Sequence, residues 1–300
     1  MNQADKKKLL QWWQKGLTYA EQNLMLDLAG LRRPEPPPLP PLPTPKKRYV
    51  VETDKNVVVF DDNANVLPWL PDETFDFVYI DPPYNTGNKK LGYHDARGKG
   101  EWLDLIYTRT ALAYPKLKDR AVFAVSMDTK NWHWACSAVE KVFGRDNFMA
   151  CLPRKKGAGP NDSKTGFRCQ HDVLFLFAKD KSQVVFYETL DSCEFLENRY
   201  VNAAGTKETK GWFDGEFLYP KPVALLEKLI SVFCPPDGKV LDFFAGSGTT
   251  GHAVLKLNRE TWARRTFTMI LLNEPQAVKA CKIRMQKATG MYGGEVTYVE

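Results

Sequence analysis

Within Asp81-Pro82-Pro83-Tyr84-Asn85-Thr86-Gly87, a carboxylate, two prolines and an aromatic ring occupy consecutive positions. Neither proline can donate to a sheet ladder, and both hold the backbone extended and stiff. Such a turn suits a planar base that carries an exocyclic amino group. The Tyr84 ring offers a stacking face, and the Asp81 carboxylate and the Pro82 carbonyl offer acceptors for the amine N–H groups.

A second constellation lies in Leu241-Asp242-Phe243-Phe244-Ala245-Gly246-Ser247-Gly248-Thr249-Thr250. Gly246 and Gly248, between a predicted strand and a predicted helix, let the backbone approach a ligand closely. Glu274 closes the next predicted strand, where a carboxylate can accept hydrogen bonds from ribose hydroxyls. The pattern differs from the dinucleotide fingerprint, because the third glycine, Gly251, comes too early, and no Gly-Lys-Ser/Thr makes it a P-loop. One site for a nucleoside and one for an amino-bearing base together imply group transfer to an exocyclic nitrogen. A third feature is the basic run Arg154, Lys155, Lys156, Lys164 and Arg168, interleaved with glycines and expected to contact phosphates.

The elements that must hold these residues read as α/β. Strands are expected at 56–60, 75–80, 121–126, 147–152, 172–178, 239–244 and 266–272, with helices near 101–117, 128–143, 222–233, 252–258 (after a turn over 245–251) and 276–287. Both ligand turns then lie at carboxyl ends of parallel strands, the edge where open α/β sheets bind ligands. Residues 1–32 read as an amphipathic helix and 33–48 as a proline-rich spacer. Residues 49–300 form the catalytic body, and 180–210 a small insertion with few apolar residues. Asn198, Arg199 and Asn202 in that insertion are candidate base readers.

Length, 300 residues, allows one large domain with additions, and a net charge of +6 suits a polyanionic partner. No apolar run is long enough to span a bilayer, and no signal-peptide core opens the chain. Six cysteines and four histidines show no ligand-pair spacing. A cytoplasmic protein without membrane contact, disulfide framework or metal site is therefore expected.

The two main motifs together resemble the amino-DNA methyltransferases that use S-adenosylmethionine. The resemblance is to the β-class, in which the catalytic motif precedes the cofactor motif, and within it to type III restriction-modification Mod subunits and phage relatives. It covers about 57–274, omitting 180–210. It implies a Rossmann-like S-adenosylmethionine-dependent sheet with helices on both faces and a permuted motif order. It also implies methyl transfer to N6 of a flipped adenine in double-stranded DNA. By the same likeness Pro83 shapes the catalytic turn, while Asp242, Phe244, Ala245, Gly246, Ser247 and Gly248 shape the cofactor pocket. Lys221 and Pro222 flank the methionine moiety, Asp62 lines the pocket, and Glu274 takes the ribose. The Asp form of the motif points to adenine N6 rather than cytosine N4. An RNA substrate and a non-catalytic nucleic-acid-binding relative are the alternatives. The small insertion implies a short or relaxed target, unless the N-terminal helix, a second copy in a homodimer or a restriction subunit supplies further base readers.

Overall fold

Strands built almost wholly of Val, Ile, Leu and Phe are stable only where helices cover both faces of their sheet. The structure, a computed structural model, puts them there. It describes residues 39–86, 97–156, 170–213 and 220–300. The expected N-terminal helix, residues 33–38 of the proline-rich spacer, Lys164 and Arg168 lie outside the described residues. Residues 41–300 form one unit.

In chain order the elements are β1 (Val57–Phe60), α1 (Asn63–Val66), β2 (Phe75–Ile80), α2 (Lys99–Ala113), β3 (Leu117–Met127) and α3 (Trp132–Phe143). Then come β4 (Phe148–Lys155), β5 (His171–Ala178), α4 (Asn202–Glu208), α5 (Val223–Phe233) and β6 (Lys239–Asp242). The last are α6 (Thr249–Thr261), β7 (Thr266–Leu271), α7 (Pro275–Tyr292) and β8 (Thr297–Val299). One mixed sheet has the order β4-β5-β3-β2-β6-β7-β1-β8. β3, β2, β6, β7, β1 and β8 run parallel, and β5 is antiparallel to both of its neighbours.

Side chains alternate across the sheet. Val58, Phe60, Phe77, Tyr79, Val122 and Ala124 face the layer of α5, α6 and α7. Val57, Val59, Val78, Ile80, Phe123 and Val125 face α2 and α3. Gly251 shows how closely α6 approaches the sheet, since a Cβ there would lie 2.7 Å from Met269 Cε and 2.9 Å from Met285 Sδ.

Several boundaries differ from expectation. Pro115 begins a short 3₁₀ turn, Tyr114–Lys116, that stops α2, so β3 starts at Leu117. Phe243 and Phe244 leave the sheet because the Asp242 carboxylate accepts the Phe244 N–H at 3.0 Å and turns the chain. β8 pairs with β1 although its three residues carry little apolar pattern. The 180–210 segment is not short of anchors: Phe195 and Tyr200 are fully buried in the core beside α5.

The phosphate-contact expectation fails at Arg154. Strand alternation points this side chain inward, opposite Asp172 on β5, and both residues are almost wholly inaccessible. Arg154 Nη2 lies 2.5 Å from Asp172 Oδ2, and Nη1 donates to the Tyr200 carbonyl and to Asn202 Oδ1. Lys155 Nζ donates to Asn198 Oδ1 at 2.8 Å. Lys156, half exposed, lies 3.3 Å from Asp172 Oδ1. Arg199 pairs with Glu194 and Glu197. Arg154, with Asn198 and Asn202, therefore binds the insertion to the sheet, while Arg199 pairs within the insertion.

Removing one partner of a buried pair leaves the other charge uncompensated. Asp172→Ala should lower unfolding free energy by about 3–5 kcal/mol in urea titrations. The double replacement Arg154→Met with Asp172→Leu should lose much less. Equal losses in the two proteins would show that the ion pair is not what the single replacement breaks.

Candidate active site

β2 and β6 are neighbours, with Phe77 opposite Val240 and Val78 opposite Leu241. Their parallel direction brings the Asp81–Tyr84 turn and the Phe243–Gly248 turn to one edge. The Tyr84 hydroxyl donates to Asp81 Oδ1 at 2.9 Å. Lys221 Nζ donates to Asp81 Oδ2 at 2.5 Å and lies 5.2 Å from the Tyr84 ring centroid. Thr249, in the first turn of α6, donates its hydroxyl to the Lys221 carbonyl at 3.4 Å. Lys221 thus links the Asp81–Tyr84 turn to the first residue of α6, directly after the Phe243–Gly248 turn.

Other residues hold the Asp81–Tyr84 turn from the side. Trp102 Nε1 donates to the Pro83 carbonyl and Asn131 Nδ2 to the Tyr84 carbonyl, each at 2.7 Å. Asn131 is fixed in turn by its backbone N–H to Asp128 Oδ1. Asn85 takes the left-handed conformation, φ 56°, and its side chain accepts the Arg97 N–H. Trp102, Asn131 and Ser126, whose Oγ lies 3.4 Å from the Tyr84 hydroxyl, were not singled out from the sequence. Nothing local marks them, because each meets the turn from another element.

The Phe243–Gly248 turn has the conformation its glycines permit. Gly246 and Gly248 have φ of 51° and 79°, where side-chain-bearing residues are disfavoured. Ala245 N donates to the Ile270 carbonyl, tying the turn to β7. Asp242 lies beneath, accepting from Phe244 N and from the Thr250 hydroxyl at 2.5 Å. Asp242 and Ser247 are buried, and Phe244 is partly so. Asp62 caps α1 through Ala64 N and pairs with Arg109 at 3.0 Å. Glu274 is the N-cap of α7, just past the end of β7, and is half-buried. Lys221, Pro222, Asp242, Phe244, Ala245, Gly246, Ser247, Gly248 and Glu274 therefore line or support one edge. Asp62 joins them beyond β7, at the end of β1.

Burial dominates the ionisation of the site. It pushes the Asp242 carboxyl from 3.8 up to about 7. It also lowers the Lys221 ammonium, which Asp81 counteracts, and raises the Glu274 carboxyl. The Tyr84 hydroxyl is raised first by burial and then by the Asp81 charge. No described helix is long and apolar enough to cross a membrane.

Asp242 makes stability depend on pH. Between its unfolded value of 3.8 and its folded value of about 7, the folded chain keeps a proton that the unfolded chain has released. Stability from this group therefore falls as pH rises through that window. Asp242→Asn keeps the acceptor for Phe244 N and removes the ionisation. Its gain in denaturation midpoint over the parent should be small near about pH 4 and largest near about pH 8. A pH-independent difference would place the ionisation elsewhere.

Residues 75–282 match the family model for the N6/N4 DNA methylases. The StyLTI Mod subunit of a type III restriction-modification enzyme from Salmonella typhimurium is 26% identical over 73% of this chain and 52% of its own. The chain thus spans about half the length of that relative. The type II methyltransferase M2.MboI of Moraxella bovis is 25% identical over 71% of this chain and 84% of its own. Among solved structures, the cytosine-N4-specific PvuII DNA methyltransferase superposes with a TM-score of 0.52 over 81% of this chain and 95% of that one, at 17% identity. That likeness concerns the fold alone. The family match spans both motif turns and more than half of the chain, and the chain belongs to the N6/N4 DNA methylase family.

Proposed function

We propose that this chain transfers a methyl group from S-adenosylmethionine to N6 of an adenine flipped out of duplex DNA. The observation that carries the reading is the Asp81–Tyr84 turn beside the Gly246–Gly248 turn, on adjacent parallel strands. The donor fits the residues present. Two left-handed glycines expose backbone at the turn, a half-buried carboxylate, Glu274, follows the neighbouring strand, and a buried ammonium, Lys221, lies between the turns. Gly246 and Gly248 would let the donor close to the backbone, Glu274 would accept from ribose hydroxyls, and Lys221 would face its carboxylate. When bound, the donor supplies an electrophilic methyl.

The remaining chemistry belongs to the protein. Asp81 and the Pro82 carbonyl accept the two N–H groups of the amine, which draws its lone pair out of conjugation with the ring. With that lone pair freed, nitrogen would be the nucleophile towards the donor's methyl, and Asp81 would stand where the surplus proton leaves nitrogen. Tyr84 holds the base by stacking. Trp102 and Asn131 engage the Pro83 and Tyr84 carbonyls, which leaves the Pro82 carbonyl for substrate. Alignment of base and methyl supplies much of the rate. The Asp form of the motif favours adenine over cytosine in this reading.

Asn198, Arg199 and Asn202 have internal partners, which supports a short or relaxed target for this chain by itself. A second copy, or the kind of restriction partner that a Mod subunit serves, would add base readers. Radiolabelled S-adenosylmethionine with duplex DNA, RNA or neither, followed by nucleoside analysis, tests the assignment. N6-methyladenine in DNA is expected, and N4-methylcytosine or RNA product alone would overturn it.

Asp81→Ala should abolish transfer. Tyr84→Phe should keep more activity than Tyr84→Ala, since base–aromatic stacking is worth about 1–3 kcal/mol. Equal losses at Tyr84 would mean that its hydroxyl bond to Asp81 matters more than the ring. Glu274→Ala should weaken donor binding in calorimetry, because ribose hydroxyls lose a charged acceptor. An unchanged dissociation constant would remove Glu274 from the pocket.

A further inference from the structure

We infer that Lys221 is a latch on the catalytic carboxylate, closed on Asp81 and opened by the carboxylate of the methyl donor. The inference rests on the donor proposed above. Both oxygens of Asp81 are engaged within the protein: Oδ1 by the Tyr84 hydroxyl at 2.9 Å and Oδ2 by Lys221 Nζ at 2.5 Å. The ammonium also lies over the Tyr84 ring, 5.2 Å from its centroid. It therefore occupies both the acceptor and the stacking face that an incoming base requires.

The pair is built to be exchanged. The Lys221 side chain is only 9% exposed and that of Asp81 28% exposed, so the ammonium needs an anionic partner wherever it points. The Lys221 backbone does not have to move. Its carbonyl accepts from Thr249, and Pro222, at the N-cap of α5, follows it directly. Rotation about the four-carbon stem is enough to carry Nζ from one carboxylate to another. The donor's carboxylate would be the second anion, held in the pocket of the turn directly before Thr249. Swinging Lys221 towards it would release Asp81 Oδ2 and uncover the Tyr84 ring. Donor binding would then prepare the base site, and by linkage a base in that site would tighten donor binding.

Two ligands separate the latch from simple pocket occupancy. S-adenosylhomocysteine carries the carboxylate, and 5′-methylthioadenosine has the same nucleoside without it. Calorimetry would measure both on the parent, on Asp81→Asn and on Lys221→Met. In Asp81→Asn the competing charge is gone, so S-adenosylhomocysteine should bind about tenfold tighter with methylthioadenosine unchanged. Lys221→Met should weaken S-adenosylhomocysteine and leave methylthioadenosine alone. In a second readout, S-adenosylhomocysteine should raise the affinity of the parent for adenine-containing duplex, and methylthioadenosine should not. Lys221→Met should bind duplex equally with either. Unchanged S-adenosylhomocysteine affinity in Asp81→Asn, or equal shifts for the two ligands, would overturn the latch while leaving the donor assignment standing. Failure of both ligands to bind the parent would overturn the donor assignment and the latch with it.

Discussion

The site depends on the parallel pairing of β2 with β6. The two strands are separated by some 160 positions in the chain, yet Phe77 lies opposite Val240 and Val78 opposite Leu241. Parallel neighbours end at the same edge of a sheet. One turn that can hold an amino-bearing base and one that can hold a nucleoside are therefore adjacent without any loop reaching between them. α5 leads into β6 and makes this pairing possible in the permuted order. Its residues Leu225, Leu226, Leu229 and Ile230 are fully buried against the sheet, so the helix that returns the chain to the centre also fixes Lys221 just ahead of it.

The same burial that makes the sheet stable concentrates unusual charges at its edges. Asp76, buried at the start of β2, accepts from Lys118, Arg120 and the backbone N–H of Lys239. It thus holds β2, β3 and β6 together at the end away from the site. At the functional edge, Asp81 raises the Lys221 ammonium against its burial, and Asp81 and Lys221 act in opposite senses on the Asp242 carboxyl. In a low-dielectric environment such groups need fixed partners. Asp242 has two hydrogen-bond donors and a raised carboxyl. Asp81 has Tyr84 and Lys221. Asp242 is locked beneath its turn, whereas Asp81 is partly exposed and can change partners.

The insertion between β5 and α5 has a double character. Its polar residues are the kind that read bases, but Asn198 and Asn202 hold Lys155 and Arg154, while Arg199 is held by neighbouring glutamates. Phe195 and Tyr200 bury it against the core. The segment therefore continues the domain.

Most of the strands and helices, though not β8 or α4, and the two motif turns and the family were legible in the sequence for a local reason. Two-sided burial writes continuous apolar runs, and Pro-Pro and Gly-x-Gly constrain the backbone wherever they fall. Asp81, Tyr84, Gly246 and Gly248 could be picked out because their chemistry depends on immediate neighbours. Partners across the fold could not. Arg154 looked like a phosphate contact because no local pattern shows that Asp172, eighteen positions away, faces it across a strand pair. Lys221 looked like part of the donor pocket alone, since its contact with Asp81 spans 140 positions. Trp102 and Asn131 gave no signal, because a side chain that holds a distant carbonyl leaves no periodicity. Which charges are neutralised inside the protein, and which remain to meet a ligand, is decided only when sheet register sets strands side by side.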